Sequence, residues 1–201
     1  MGARAIGSGR GPGLRRHGGV QSPLGHRRSV NRTARAGWGM VTDTVQSVGE
    51  VTIEVVDPSD DDAQRCLRAY EAELDERFDV GFEVDSALPL PADDLRAPAG
   101  CFLVAYRDGE AIGCGGLKLH GTDPAEIKRV WVHRSARGLG LARRLLTELE
   151  DQARAAGAPA VQLDTNRTLT EAIALYRKTG YVEIEAFNDE PYAHHWFQKI
   201  L

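Results

Sequence analysis

Arg137-Gly138-Leu139-Gly140-Leu141-Ala142 is a glycine-rich turn between a strand-like run, residues 126–132, and a helix-like run, residues 141–156. The first N–H groups of a helix have no partner within the helix, and with the helix dipole they form a site for an anion. The two glycines carry no Cβ, which lets a diphosphate approach the backbone closely. Arg137 and Arg143 add positive charge. The turn therefore predicts either a phosphate-binding loop or an ordinary flexible connection.

Two common phosphate-binding motifs do not fit this turn. A dinucleotide fingerprint requires a third glycine where Arg143 stands, and a P-loop requires a Gly-Lys-Ser/Thr tripeptide that the sequence lacks. Residues 137–142 instead resemble the acyl-CoA pyrophosphate loop of the GCN5-related N-acetyltransferase (GNAT) family, whose pattern is Arg/Gln-x-x-Gly-x-Gly/Ala. The resemblance implies that the ligand is the diphosphate of acetyl-CoA.

The rest of the chain resembles the same family. Apolar periodicity and Gly/Pro breakers predict the order β-α-β-β-β-α-β-α-β-β across residues 50–201. Residues 174–181 are similar to the family's Leu-Tyr-x-x-x-Gly-Phe/Tyr signature, and residues 168–171 predict a capping box before that helix. The resemblance implies an α/β (α+β) GNAT fold, with a mixed sheet of about six to seven strands that splays between strands four and five. Residues 187–197 resemble a bacterial subgroup that is also found fused to winged-helix regulators.

Charge and cysteine content exclude other classes of protein. Of the 25 Lys and Arg residues, eight arginines stand in residues 1–39, which leaves 17 to face all 29 Asp and Glu. Such an acidic body argues against nucleic acid as a partner of the folded domain. No run approaches the ~20 apolar residues of a membrane span. The three widely spaced cysteines favour reduced thiols in a cytoplasmic protein.

Residues 1–39 are predicted to be a disordered Arg/Gly-rich segment, because they show almost no apolar periodicity to offset the entropy of ordering. Three interpretations stay open. The segment is a basic arm for nucleic acid or membrane, a targeting peptide, or sequence upstream of a true start at Met40. Patterned sequence begins only after Met40, which favours the last. The N-acetyltransferase domain is predicted at residues 50–201.

The resemblance also implies the chemistry, which is transfer of an acetyl group from acetyl-CoA, as cosubstrate, to a primary amine in a ternary complex. Strand four and one asparagine would face the pantetheine arm, and the loop would hold the diphosphate. The implied cofactor-binding residues are Val130, Trp131, Val132, Arg137, Gly138, Leu139, Gly140, Leu141, Ala142, Arg143 and Asn166.

Two residues are candidates for proton transfer. Tyr176 is the candidate general acid, since a phenol with a pKa near 10 can protonate a departing thiolate. Its alternative role is that of a core tyrosine with its hydroxyl tied to the backbone. Glu126 is the candidate general base, acting through a water. The alternatives are a solvated charge that pairs with Lys128 or Arg129, or an amine that arrives neutral and needs no base.

The acceptor is expected near the tail of the chain, where Asn188, Tyr192 and His194 are candidate ligands. His194 and its neighbour His195 match no zinc spacing, so no metal site is predicted. The loop of residues 79–100 is long enough to cover an acceptor, which favours a small-molecule amine. The alternatives are a non-catalytic acyl-CoA-binding sensor and an acetyltransferase acting on protein amines. A homodimer is left open.

Overall fold

Seven strands form one mixed sheet in the computed structural model, which describes residues 50–87 and 90–201. The strand order is β1-β2-β3-β4-β5-β7-β6, and the described residues include three α-helices that pack on the sheet. The strands are β1 Val51–Val56, β2 Gly100–Arg107, β3 Glu110–Lys118, β4 Ala125–Val132, β5 Ala160–Thr165, β6 Val182–Ile184 and β7 His195–Ile200. The helices are α1 Asp61–Arg77, α2 Leu141–Ala155 and α3 Thr170–Lys178. The expectations for residues 1–39 and for Met40 lie outside the described residues.

The sheet is splayed between β4 and β5, as expected. These two strands run parallel and pair only through Ala125 with Val161 and Glu126 with Gln162. The other neighbouring strands of the described chain run antiparallel. Beyond Glu126 the two strands separate, which opens a gap in the middle of the sheet. The predicted fold class is confirmed.

A β-bulge interrupts β4 at the start of this gap. Cys114 pairs with Trp131 and Gly116 with Lys128, so β4 carries one more residue than β3 between these pairs. The backbone accommodates the extra residue at Arg129, whose φ of 58° lies in the left-handed region that non-glycine residues rarely adopt. The bulge changes which side chains of β4 face the gap.

The two faces of the sheet are covered by different helices. Along β2, Phe102 and Val104 pack with α1, whereas Leu103 and Ala105 pack with α2. This is the alternation that a strand buried on both faces requires. The apolar stripe of α2 is fully buried, and each leucine in it contributes about 1.5–3 kcal/mol. Among the described residues, no helix has both the length and the apolar composition to cross a bilayer.

The start of α3 differs from the expected capping box. The N-cap position is Leu169, without a side-chain hydrogen bond, and the buried hydroxyl of Thr168 has no partner among the described residues. The N–H of Thr168 donates instead to Asn166 Oδ1, at 2.9 Å. The capping-box prediction was wrong because Asn166, two residues upstream of Thr168, accepts the hydrogen bond from the Thr168 N–H that a capping box would assign to Glu171.

Candidate active site

A cavity of about 220 Å³ lies where β4 and β5 separate. Its walls come from the two splayed strands, from α1 and α3, and from the loops that follow α1 and β6. The lining residues are Tyr70, Leu74, Phe78, Phe82, Ala87, Leu90, Lys118, Glu126, Ile127, Lys128, Arg129, Val130, Leu163, Asp164, Thr165, Asn166, Leu169, Ala172, Tyr176, Asn188, Glu190 and Tyr192.

The glycine-rich loop leads directly into α2. Gly138 and Gly140 have φ angles of 79° and 77°, which glycine adopts without strain. A Cβ at either position would meet no atom of the other described residues within 4 Å. Within residues 50–87 and 90–201, no side chain caps the first turn of α2, so its N–H groups are available to an anion. The loop therefore has the open space and the donors that a diphosphate needs.

Arg137 fixes the loop to α1. Its guanidinium donates to Val132 O, at 3.0 Å, and to the Glu73 carboxylate. The same carboxylate accepts from Trp131 Nε1, at 2.9 Å. Burial raises the pKa of Glu73, but the donors Trp131 and Arg137 outweigh it and hold the pKa below its usual value. Glu73 thus ties α1 both to the loop and to the end of β4.

Tyr176 lies in α3, with its ring 5.7 Å from that of Tyr181 and 5.8 Å from that of Phe197. The residue is only 7% exposed, yet it also lines the cavity. Burial raises the pKa of its phenol well above the ordinary value near 10, and the charge of Asp164 raises it further. The hydroxyl is therefore protonated throughout the neutral range, as a proton donor requires.

Glu126 belongs to a chain of charges along the cavity wall. Lys128 Nζ lies 2.6 Å from Asp164 Oδ1 and 3.2 Å from Glu126 Oε2. His120 Nε2 lies 3.1 Å from the other oxygen of Glu126. Burial lowers the pKa of Lys128, but the two carboxylates outweigh it and raise the pKa above its usual value. Lys128 is therefore a fixed cation, and Glu126 is paired inside the cavity wall rather than free in solvent.

Three aromatic residues of the lining, Phe78, Phe82 and Tyr192, form a cluster that we call the aromatic roof. The ring centroids are 5.0–5.8 Å apart. The Tyr192 hydroxyl accepts from the N–H of Glu83, at 3.0 Å, and Asn166 Nδ2 donates to Tyr192 O, at 2.8 Å. The amide of Asn166 is thus bonded to protein at both ends, to Tyr192 and to Thr168.

The structure brings together six of the residues singled out from the sequence. These are Glu126, Val130, Asn166, Tyr176, Asn188 and Tyr192. Trp131 and Val132 follow on β4 outside the lining, and residues 137–143 form the loop and the first turn of α2. His194 is not in the lining. It is exposed, and its N–H donates to Thr165 O at 2.9 Å.

Several cavity residues were not predicted from the sequence. Asp164 accepts from Asn188 Nδ2, at 3.1 Å, in addition to its contact with Lys128. Its place at the carboxyl end of a strand beside a splayed parallel neighbour is a signal for a site residue. Tyr70 and Arg129 carried no such signal. In the sequence, Tyr70 is typical of a core position of α1, and Arg129 is typical of a charged residue on the surface of a strand. No group of three or more potential metal-ligating side chains occurs within residues 50–87 and 90–201.

Comparison with known proteins gives one family. The profile of the acetyltransferase (GNAT) family matches residues 57–181. An "IAA acetyltransferase" of Azospirillum brasilense is 39% identical over 112 residues, which are 55% of this chain and 73% of that protein. The uncharacterized N-acetyltransferase YjgM of Escherichia coli is 33% identical over 125 residues, 60% of this chain and 75% of that protein. The structure of a GNAT-family acetyltransferase from Staphylococcus aureus superposes with a TM-score of 0.61 at 16% identity, over 74% of this chain and 99% of that one.

Proposed function

The chain belongs to the acetyltransferase (GNAT) family, and we propose that it acetylates the primary amine of a small molecule, with acetyl-CoA as cosubstrate, in a ternary complex. The observation that carries the proposal is the cavity at the splay of β4 and β5, which has a buried tyrosine in its wall and an aromatic roof. At about 220 Å³ it lies below the range usual for drug-sized ligands, so it suits a small amine.

The glycine-rich loop is the proposed anchor of the cosubstrate. The free N–H groups of the first turn of α2 and the open space at Gly138 and Gly140 fit a diphosphate. From there the gap between β4 and β5 gives the pantetheine arm a path to the cavity. The backbone of residues 130–132 faces this gap, since it has no partner on β5.

Proton transfer is assigned to Tyr176 and Glu126. The amine nitrogen forms a bond with the thioester carbonyl carbon, the C–S bond breaks, and the Tyr176 proton passes to the sulfur. The acceptor enters as an ammonium ion, whose first proton leaves before the attack through a water and Glu126, and His120, at 3.1 Å from Glu126, offers a route to solvent. Of the two protons that remain on nitrogen, one restores the phenol and the other stays on the product amide. Lys128 Nζ, at 3.2 Å from Glu126 Oε2, holds this carboxylate in the cavity wall.

A thiol-release assay tests the proposal. The protein is mixed with acetyl-CoA and a panel of small amines, and with peptides that offer only an N-terminus or a lysine. We expect coenzyme A release with at least one small amine. Binding of acetyl-CoA without release for any amine would support a non-catalytic sensor, and release with peptides alone would support a protein acetyltransferase.

A further inference from the structure

Three cations line the cavity, and two of them are neutralised by carboxylates. Lys118 Nζ lies 2.8 Å from Asp94 Oδ2, and Lys128 is held by Asp164 and Glu126. Arg129 differs, because it forms no ion pair with any residue in the described ranges 50–87 and 90–201. The cavity therefore contains one guanidinium that forms no ion pair with a carboxylate of the described residues.

The backbone places Arg129 in this position at a cost. Its φ of 58° belongs to a region that is costly for a side chain of this kind, by on the order of 1–3 kcal/mol. Adjacent residues of a regular strand face opposite sides, so without the bulge Lys128 and Arg129 would not line the same cavity. The guanidinium carbon lies 5.7 Å from the centroid of the Tyr70 ring, which holds the side chain against α1.

We propose that the acceptor carries a carboxylate as well as its amine, and that Arg129 binds this carboxylate. This inference rests on the function proposed above. A guanidinium offers two parallel N–H donors that match the two oxygens of a carboxylate, and such pairs are among the stronger hydrogen bonds. A lysine at this position would supply charge without that geometry.

The remaining walls define the rest of the acceptor. The carboxylates of Glu126 and Asp164 suit an ammonium group, and the aromatic roof with Leu74 and Leu90 suits an apolar body. An ammonium group, a carboxylate and an apolar side chain together describe an α-amino acid such as phenylalanine. The substrate class assigned to the cavity is therefore free apolar α-amino acids.

The first experiment compares three acceptors that differ only in the anionic group. They are L-phenylalanine, L-phenylalaninamide and phenethylamine, assayed by coenzyme A release. We expect kcat/KM for L-phenylalanine to exceed that for the other two by roughly 10- to 150-fold, the value of a charge-assisted hydrogen bond. Equal values, or a preference for the amide, would overturn the inference and leave the proposed acetyltransferase function intact.

A binding measurement keeps the inference testable without turnover. The protein is saturated with coenzyme A, and calorimetry compares N-acetyl-L-phenylalanine with its carboxamide. We expect the acid to bind roughly 10-fold or more tightly than the amide. Equal affinity for the two would contradict the inference, whether or not the protein shows turnover.

Substitutions then assign the preference to one residue. Arg129→Gln should abolish the preference for the acid over the amide, and Arg129→Lys should retain part of it, because lysine keeps the charge but not the paired donors. Arg134→Gln is the matched control. Arg134 is exposed, lies 2.5 Å from Glu76 Oε2 and is not part of the cavity lining, so the preference should persist. An equal loss of affinity for acid and amide in Arg129→Gln would show a structural role only, and would refute the assignment.

Discussion

Replacing Gly140 with asparagine separates the binding role of the loop from its backbone conformation. Gly140 has a φ of 77°, and no atom lies within 4 Å of the position that a Cβ would take. Asparagine tolerates the left-handed region better than other side chains, but it is still strained there, at a cost on the order of 1 kcal/mol. A larger effect on ligand binding is expected, because the new side chain occupies the space proposed for the diphosphate.

The size of that effect follows from the hydrogen bonds involved. Displacing the diphosphate from one backbone N–H removes a bond to a charged group, worth about 1.5–3 kcal/mol. Affinity for acetyl-CoA should therefore fall by roughly 10- to 150-fold. Isothermal calorimetry measures the affinity, and thermal unfolding measures the stability of the same sample.

Gly157→Asn is the matched control at the other end of the same helix. Gly157 follows α2, has a φ of 84° and likewise has no neighbour within 4 Å of a Cβ. The two variants should have similar thermal midpoints, and only Gly140→Asn should bind acetyl-CoA more weakly. If Gly140→Asn is folded and binds acetyl-CoA as the wild type does, the diphosphate does not lie against this loop.

Three further predictions concern the buried side chains of the site. Tyr176→Phe should lower kcat by roughly 10²-fold or more while the affinity for acetyl-CoA stays unchanged, and wild-type turnover would make Tyr176 a core residue. Because burial raises the pKa of Tyr176, the phenol keeps its proton as the pH rises, so kcat should stay constant from neutral pH up to about pH 10. A fall in kcat within this range that occurs in the wild type and is absent from Tyr176→Phe would contradict the raised pKa. Glu73→Gln should lower both the thermal midpoint and the affinity for acetyl-CoA, since Arg137 and Trp131 lose a charged acceptor. The pKa of Glu73 is depressed, so this stability difference should be complete at neutral pH and shrink as the pH falls below about 4.5; a difference that does not depend on pH would refute the charged role.

The order of the elements could be predicted because each has a local cause. The buried leucines of α2 repeat with the helical period, and Gly157 ends the helix just after Ala155. An Asp-Gly turn joins β2 to β3, with both residues at positive φ. The loop could be predicted as well, since its two glycines are required by their φ angles rather than by distant contacts.

The ion pairs of the site could not be predicted in the same way. Glu73 is 64 residues from Arg137 and 58 from Trp131 along the chain, and nothing in the local sequence of α1 distinguishes it from a solvated glutamate. Lys128 and Asp164 are likewise joined only when β4 and β5 come together. Such contacts depend on the tertiary arrangement, which the apolar periodicity of the sequence does not reveal. The same holds for the start of α3, where Asn166 replaces the expected cap.

The bulge in β4 shows how one residue of strand geometry changes a functional interpretation. From the sequence, Lys128 and Arg129 are adjacent strand residues that face opposite sides, and either is a plain surface partner for Glu126. The extra residue between the pairs Gly116–Lys128 and Cys114–Trp131 removes that alternation, so both cations enter one cavity. Lys128 is then used to hold Glu126 and Asp164, which leaves Arg129 as the cation for a ligand. The proposed preference for a carboxylate therefore depends on a local change of strand geometry that the order of residues alone does not reveal.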